Sequence, residues 1–132
     1  MQLSRNPATG KEFAKYSQPV VAHRNLVVGI LRSTHLPNPP LEGPLGVRIV
    51  ANFPRPKNHT GTGRNSSLLK DWAPKYVTVP ADIDKISRLV LDAGTIAGVW
   101  RDDAQVAVLL AQKVYIDPPT TPSTEIVVWS LS

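Results

Sequence analysis

The sequence predicts an α/β fold of the α+β kind, in which two main helices accompany a mixed β-sheet in a single domain. The chain has 132 residues, which suits one domain with a small core, and 42% of them are hydrophobic. Apolar residues recur at helical spacing in two segments, whereas three other segments show the alternation or the β-branched composition of strands. We therefore expect one domain over residues 1–132.

The N-terminal part of the chain predicts a turn followed by a helix. Residues 6–11 have the composition of a turn, which we expect to join two short extended pieces. Residues 19–33 carry apolar side chains at roughly helical spacing, and Pro19 suits the first turn of a helix. A proline-rich stretch follows and ends this helix.

A strand and a long basic loop come next. Apolar and polar side chains alternate over residues 46–53, which predicts a strand. Residues 54–80 are polar and are interrupted by proline and glycine, and a loop of this length in a compact domain is usually functional or mobile. Its single acid is Asp71, against the basic residues and histidine Arg55, Lys57, His59, Arg64, Lys70 and Lys75.

Residues 82–96 show the clearest helical periodicity. Asp82 suits the N-cap of this helix, and Gly94 and Gly98 indicate where it loosens and stops. The apolar stripe consists of Ile86, Leu89, Val90, Ala93 and Ile96.

Two strands are predicted near the C-terminus. Residues 106–115 are rich in β-branched and apolar side chains, so we expect a largely buried strand there. Residues 125–131 predict a final strand. The strand order along the chain indicates a mixed sheet.

The charge and composition narrow the functional class. The formal charge of +5 attracts polyanions, of which nucleic acid is the first candidate, although a merely basic surface is the alternative. The absence of cysteine excludes disulfides and thiolate zinc sites, and the three histidines lack ligand spacing. Without a membrane-length apolar run or a signal region, we expect a cytoplasmic protein.

Two acidic pairs flank the helix of residues 82–96. Asp82 and Asp84 stand at its start, and Asp102 and Asp103 follow its end. Carboxylate oxygens are preferred Mg²⁺ ligands, and Mg²⁺ supports phosphodiester hydrolysis. Each pair alone also has an ordinary explanation as a helix cap or a solvated turn, and the sequence leaves open whether the pairs converge.

Arg88 lies one helical turn after Asp84 and should share its face. A cation there can stabilise charge on a phosphate in the transition state. An ion pair on the helix surface, with Asp84 or Asp92, is the structural alternative.

The order of these motifs resembles the RusA family of Holliday junction resolvases. That family's pattern is a pre-helical Asp-x-Asp, an Asp-Ala pair in the helix, a Gly-x-Trp-x-Asp-Asp-x-Gln-Val segment and a later lysine. The matching stretches here are residues 80–86, Asp92-Ala93, residues 98–106 and Lys113. Residues 53–57, 63–65 and 68–70 are similar to the actinobacterial and phage branch. The resemblance covers about residues 46–115.

The resemblance implies a Mg²⁺-dependent homodimeric endonuclease, with Mn²⁺ as a substitute ion. It would nick four-way DNA junctions symmetrically during recombination, repair or phage genome processing, in the cytoplasm of a bacterial or phage-infected cell. The implied metal ligands are Asp82, Asp84 and Asp103, with Asp102 alongside.

The resemblance also implies roles for basic residues. Arg88 stands where the family has a catalytic lysine, and Lys85 stands where it usually has asparagine. The residues expected to bind DNA are Arg55, Lys57, Arg64, Lys70, Lys75, Lys85 and Arg101.

Two alternatives remain open at the level of sequence. One is a non-catalytic protein of the same fold that binds branched DNA, and the other is a nuclease acting on flaps or forks. Family members usually begin with a further strand before the region matching residues 6–16, and this chain starts inside that region. A naturally short form whose sheet lacks an edge strand and a misplaced start are both open.

Overall fold

The computed structural model describes residues 18–66, 68–117 and 122–132, with side chains described from residue 23 onward. Its helices and strands are α1 (Gln18–His35), β1 (Leu45–Pro54), α2 (Ile83–Ala97), β2 (Val106–Ile116) and β3 (Ser123–Ser130). The turn and extended pieces predicted before residue 18 lie outside the described residues. The α+β class with two main helices is confirmed.

The strands form a mixed sheet in the order β2-β1-β3. The central strand β1 runs parallel to β2 and antiparallel to β3. Leu45, Val47 and Ile49 on β1 are fully buried, and Val50 on its other face is 5% exposed. The alternating apolar pattern therefore belongs to a strand that is buried on both faces along most of its length.

The prediction that β2 is largely buried was wrong. Val108, Leu109 and Leu110 in its middle are 36%, 41% and 55% exposed, and β2 is an edge strand of the described sheet. Apolar and β-branched composition favours the extended backbone, but it does not report whether another layer covers the side chains. At the other end of β2, Tyr76 of the preceding loop pairs with Val114.

The chain divides into two compact units. One consists of residues 1–42 and 89–105, and its described core includes Val27, Val28, Val90 and Ala93. The other consists of residues 43–88 and 106–132 and contains the whole sheet together with the long loop. Over the described ranges, neither α-helix combines the length and apolar character needed to cross a membrane.

Trp100 is buried in the first unit and packs against α2. It is 1% exposed, and its indole Nε1 donates a hydrogen bond of 2.9 Å to Thr95 Oγ1. Gly94 lies against the ring, and a Cβ there would overlap the indole. Gly94 therefore sits inside α2 because of close packing, whereas the helix itself ends near Gly98, whose φ of 78° favours glycine.

Candidate functional site

The first acidic pair lies at the start of α2, as predicted. Asp82 directly precedes the helix, and its carbonyl accepts hydrogen bonds of 3.1 Å from the backbone N–H groups of Lys85 and Ile86. Asp82 therefore occupies the N-cap position. Asp84 follows in the first turn and is exposed, where the helix dipole stabilises a carboxylate.

Lys85 is placed beside the first acidic pair. Its Nζ lies 3.5 Å from Asp82 Oδ2, and the two side chains are 49% and 64% exposed. An exposed pair of this kind contributes only about 0–1 kcal/mol to stability. The pair therefore leaves the Asp82 carboxylate available to a more highly charged cation.

Arg88 is exposed on α2. No ion pair with Asp84 is formed in the described structure, although the two residues are one turn apart. Of the two ion pairs offered as the structural alternative for Arg88, the one with Asp84 is therefore not formed. Its guanidinium is accessible to a ligand in solution.

The second acidic pair lies in a tight turn that ends in the 3₁₀ helix Asp103–Gln105. Asp102 Oδ1 accepts a hydrogen bond of 2.9 Å from the backbone N–H of Ala104. Both Asp102 and Asp103 are exposed. The turn thus presents two neighbouring carboxylates to solvent.

Gln105 holds this turn in shape, a role that sequence reasoning missed. Its Oε1 accepts hydrogen bonds from the backbone N–H groups of Arg101 and Asp102, at 2.9 and 3.1 Å. Its Nε2 donates to the carbonyl of Leu41 at 3.0 Å. The glutamine in the Asp-Asp-x-Gln motif was the available signal, because its spacing fits a side chain that folds back onto the turn.

The two acidic pairs belong to different compact units, Asp82 and Asp84 to one and Asp102 and Asp103 to the other. Over residues 18–66, 68–117 and 122–132, no group of three or more histidine or carboxylate side chains is arranged to hold a metal ion. The donor chemistry of each pair is nevertheless that of a Mg²⁺ ligand, since all four carboxylates are hard oxygen donors open to solvent.

The long loop is more ordered than its composition predicted. It contains the 3₁₀ helices Lys57–His59 and Gly63–Asn65, and Thr60 pairs with Leu69. The predicted DNA-binding residues exposed along it are Lys57, Arg64, Lys70 and Lys75. Arg101 is also exposed, and it pairs with Glu42 at 3.3 Å.

Arg55 differs from these cations because its side chain is only 5% exposed. Its guanidinium donates to the carbonyl of Pro74, lies 3.4 Å from Asp117 Oδ1, and sits 5.0 Å from the centre of the Tyr115 ring. The Nη1 atom also lies 3.4 Å from Nδ1 of His59. Arg55 therefore connects the start of the loop and Pro74 to the end of β2.

Sequence reasoning also missed an aromatic group in this loop. His59 is 7% exposed, and its ring makes T-shaped contacts with the rings of Trp72 and Tyr115. Trp72 itself is 58% exposed. The sequence signal for this group was the position of Trp72 within a basic loop.

Comparison with known proteins agrees with the motifs. The family model for endodeoxyribonuclease RusA matches residues 4–128, which include both acidic pairs and the basic loop. No curated protein gives a match to the chain. The chain belongs to the RusA endodeoxyribonuclease family, a family of Holliday junction-resolving endonucleases.

Proposed function

We propose that this protein resolves Holliday junctions by Mg²⁺-dependent hydrolysis of two opposed phosphodiester bonds. The family match over residues 4–128 carries the proposal. Mn²⁺ would substitute for Mg²⁺, because it accepts the same oxygen ligands. The proposed setting is recombination, repair or phage genome processing in the cytoplasm of a bacterial or phage-infected cell.

The proposed metal ligands are Asp82, Asp84 and Asp103, with Asp102 alongside. Their exposed carboxylates suit a hard divalent ion. The weak pair between Asp82 and Lys85 is readily replaced by a cation of higher charge. When bound, the ion would activate water and neutralise charge on the phosphate.

The basic residues would have three different roles. Arg88, exposed one turn from Asp84, would stabilise negative charge on the phosphate in the transition state. The exposed cations of the loop, together with Lys85 and Arg101, would hold backbone phosphates without reading sequence. Arg55 would contribute indirectly, because its buried guanidinium holds the base of the loop.

A cleavage assay on defined DNA structures tests the proposed function. Four-way junction, fork, flap and linear duplex are incubated with the protein, with and without Mg²⁺. We expect paired nicks in opposed strands of the junction, in the presence of the ion only. Junction binding without cleavage in Mg²⁺ or Mn²⁺ would support a non-catalytic DNA-binding protein. Faster cleavage of flaps or forks than of the four-way junction would support a flap or fork endonuclease.

We expect the loop cations to determine the salt dependence of DNA binding. Alanine substitution of Lys57, Arg64, Lys70 or Lys75 should each reduce the slope of log affinity against log salt concentration by about one. Fluorescence anisotropy with junctions of several sequences measures the slope. Arg32→Gln, an exposed charge on α1, is the matched control and should leave the slope unchanged. An unchanged slope in the quadruple variant would show that the loop does not contact DNA.

We expect Arg88→Ala to reduce the single-turnover cleavage rate by about 100-fold, the effect typical of removing one donor that stabilises transition-state charge. Arg88→Lys should keep much of the activity if the role is electrostatic, and should resemble Ala if the contact is bidentate. Thermal unfolding should change little, because the side chain is exposed. Full activity of Arg88→Ala would leave only a structural role.

We propose that the protein acts as a C₂ homodimer, which provides two sites related by the approximate symmetry of the junction. Residues paired across the sheet share a face, and Leu110, Arg48 and Val127 form such a row. Leu110 and Val127 are 55% and 48% exposed. These two exposed apolar side chains, on either side of Arg48, suit a second copy of the chain.

Light scattering tests the dimer, with an expected mass of about twice 14.4 kDa. Leu110→Lys should shift the protein to monomers and slow paired nicking, because it places a second positive charge beside Arg48 in the interface. Leu26→Lys, at a residue 60% exposed on α1, is the matched control and should remain dimeric. A wild-type monomer that nicks both strands in one binding event would contradict the proposed mechanism.

A further inference from the structure

We propose that Trp72 is a base-stacking platform for a base at the branch point of DNA. The inference rests on the proposed function and adds to it a residue that would meet a base rather than a phosphate. Trp72 is 58% exposed, although tryptophan is usually well buried. Its surroundings hold the indole in place and leave much of it open.

The backbone presents Trp72 at the tip of a hydrogen-bonded turn. The backbone N–H of Ala73 donates to the carbonyl of Lys70 at 3.0 Å, so Asp71 and Trp72 occupy the central positions. The N–H of Lys70 donates in turn to the carbonyl of His59 at 2.9 Å. The turn is therefore anchored to the ordered part of the loop.

Aromatic packing supports the indole from behind. The His59 ring, 7% exposed, lies 5.4 Å from the Trp72 ring at 83°, and 4.9 Å from Tyr115 at 82°. Tyr115 belongs to β2 and is covered by the Arg55 guanidinium at 5.0 Å. A stacking surface held in this way loses little conformational freedom on binding.

The charge around the indole favours nucleic acid as its partner. Lys70 Nζ lies 5.7 Å from the centre of the Trp72 ring, and Lys75 Nζ lies 5.4 Å from that of Tyr76, which is itself 55% exposed. Aromatic faces interleaved with cations are the pattern by which proteins bind single-stranded nucleic acid. A base within a duplex is stacked on both faces, whereas a base at an open branch point lacks a stacking neighbour on one face. Trp72 would therefore favour branched over linear DNA.

A protein interface is the competing use of the same surface, since Leu68 nearby is 59% exposed. The four exposed cations of residues 54–80, against the single acid Asp71, favour a polyanion; they are Lys57, Arg64, Lys70 and Lys75. The test below therefore includes the oligomeric state of each variant as a readout.

The test uses 2-aminopurine, whose fluorescence falls on stacking, in DNA bound by the full chain without divalent ions. The probe is placed at the branch point of a junction, in a single strand, or within a paired stem. We expect wild type and Trp72→Phe to quench the probe at the branch point and in the single strand, but not in the paired stem. Trp72→Ala should not quench it at any position. Junction affinity of Trp72→Ala should fall by about 5- to 150-fold, the range for one stacked base. Duplex affinity should not change.

Leu26→Ala, at a residue 60% exposed on α1, controls for loss of an exposed apolar side chain and should match wild type. Equal losses on junction and duplex in Trp72→Ala, or unchanged quenching, would overturn the inference. Dissociation into monomers with quenching intact would assign the surface to a contact between copies instead. If the wild type fails to cut junctions in Mg²⁺, the proposed function fails, while the single-strand probe still decides whether Trp72 stacks on a base.

Discussion

An Asp103→Asn variant is expected to bind four-way junctions as well as the unmodified protein and to cleave them at least about 100-fold more slowly. The substitution removes one negative oxygen from the proposed ligand set. A metal ion supplies several kcal/mol of transition-state stabilisation, and each 1.4 kcal/mol lost is about tenfold in rate. Asparagine keeps the shape of the side chain at the start of the 3₁₀ helix Asp103–Gln105, so the turn should remain intact.

Binding of this variant should be equal or tighter, because one negative charge near the phosphates is lost. Glu125→Gln is the matched control, since it makes the same change of charge at an exposed residue on β3, outside both the proposed ligand set and the basic loop. It should cleave at the normal rate. Single-turnover cleavage, anisotropy and thermal unfolding of both variants complete the comparison. Normal cleavage by a pure, folded Asp103→Asn sample would remove Asp103 from the ligand set.

The local features that could be predicted from the sequence are those that a short repeat encodes. The apolar stripe of α2 and the alternation in β1 follow from the periods of the two backbones, so both elements were located closely. The N-cap position of Asp82 was predicted for the same reason, because it depends only on the adjacent turn.

Features that depend on distant contacts could not be predicted. The contact of the Arg55 guanidinium with Asp117 joins residues 62 positions apart. Gln105 reaches the carbonyl of Leu41, 64 positions away. The exposure of β2 depends equally on its place at the edge of the sheet. No periodicity in the sequence contains such information.

In the candidate site, too, local features could be predicted from the sequence and long-range ones could not. The sequence located each acidic pair next to the correct end of α2, since that relation is local. Whether the pairs share an ion depends on how separate parts of the chain are placed, which neither spacing nor helix geometry determines. The ligand set is therefore a proposal supported by donor chemistry and family membership, and Asp103→Asn is its direct test.

Alanine substitutions at two helix-interior glycines are expected to change the free energy of unfolding in opposite directions. Gly94→Ala should lower the free energy of unfolding by about 2 kcal/mol, within the range for overpacking a tight core. The added Cβ would overlap the Trp100 ring, which is 1% exposed and held by its hydrogen bond to Thr95. This overlap outweighs the gain of about 1 kcal/mol that alanine brings to a helix interior.

Gly29→Ala in α1 is the matched control, because a Cβ there has no neighbour within 4 Å among the described residues. It should raise the free energy of unfolding by about 0.5–1 kcal/mol through helix propensity and the lower entropy of the unfolded chain. Urea denaturation followed by circular dichroism measures both values, and an unchanged m-value confirms that the two unfolding reactions are comparable. If Gly94→Ala were as stable as Gly29→Ala, the indole of Trp100 would not be packed against α2, and the close approach at Gly94 would have no role in the fold.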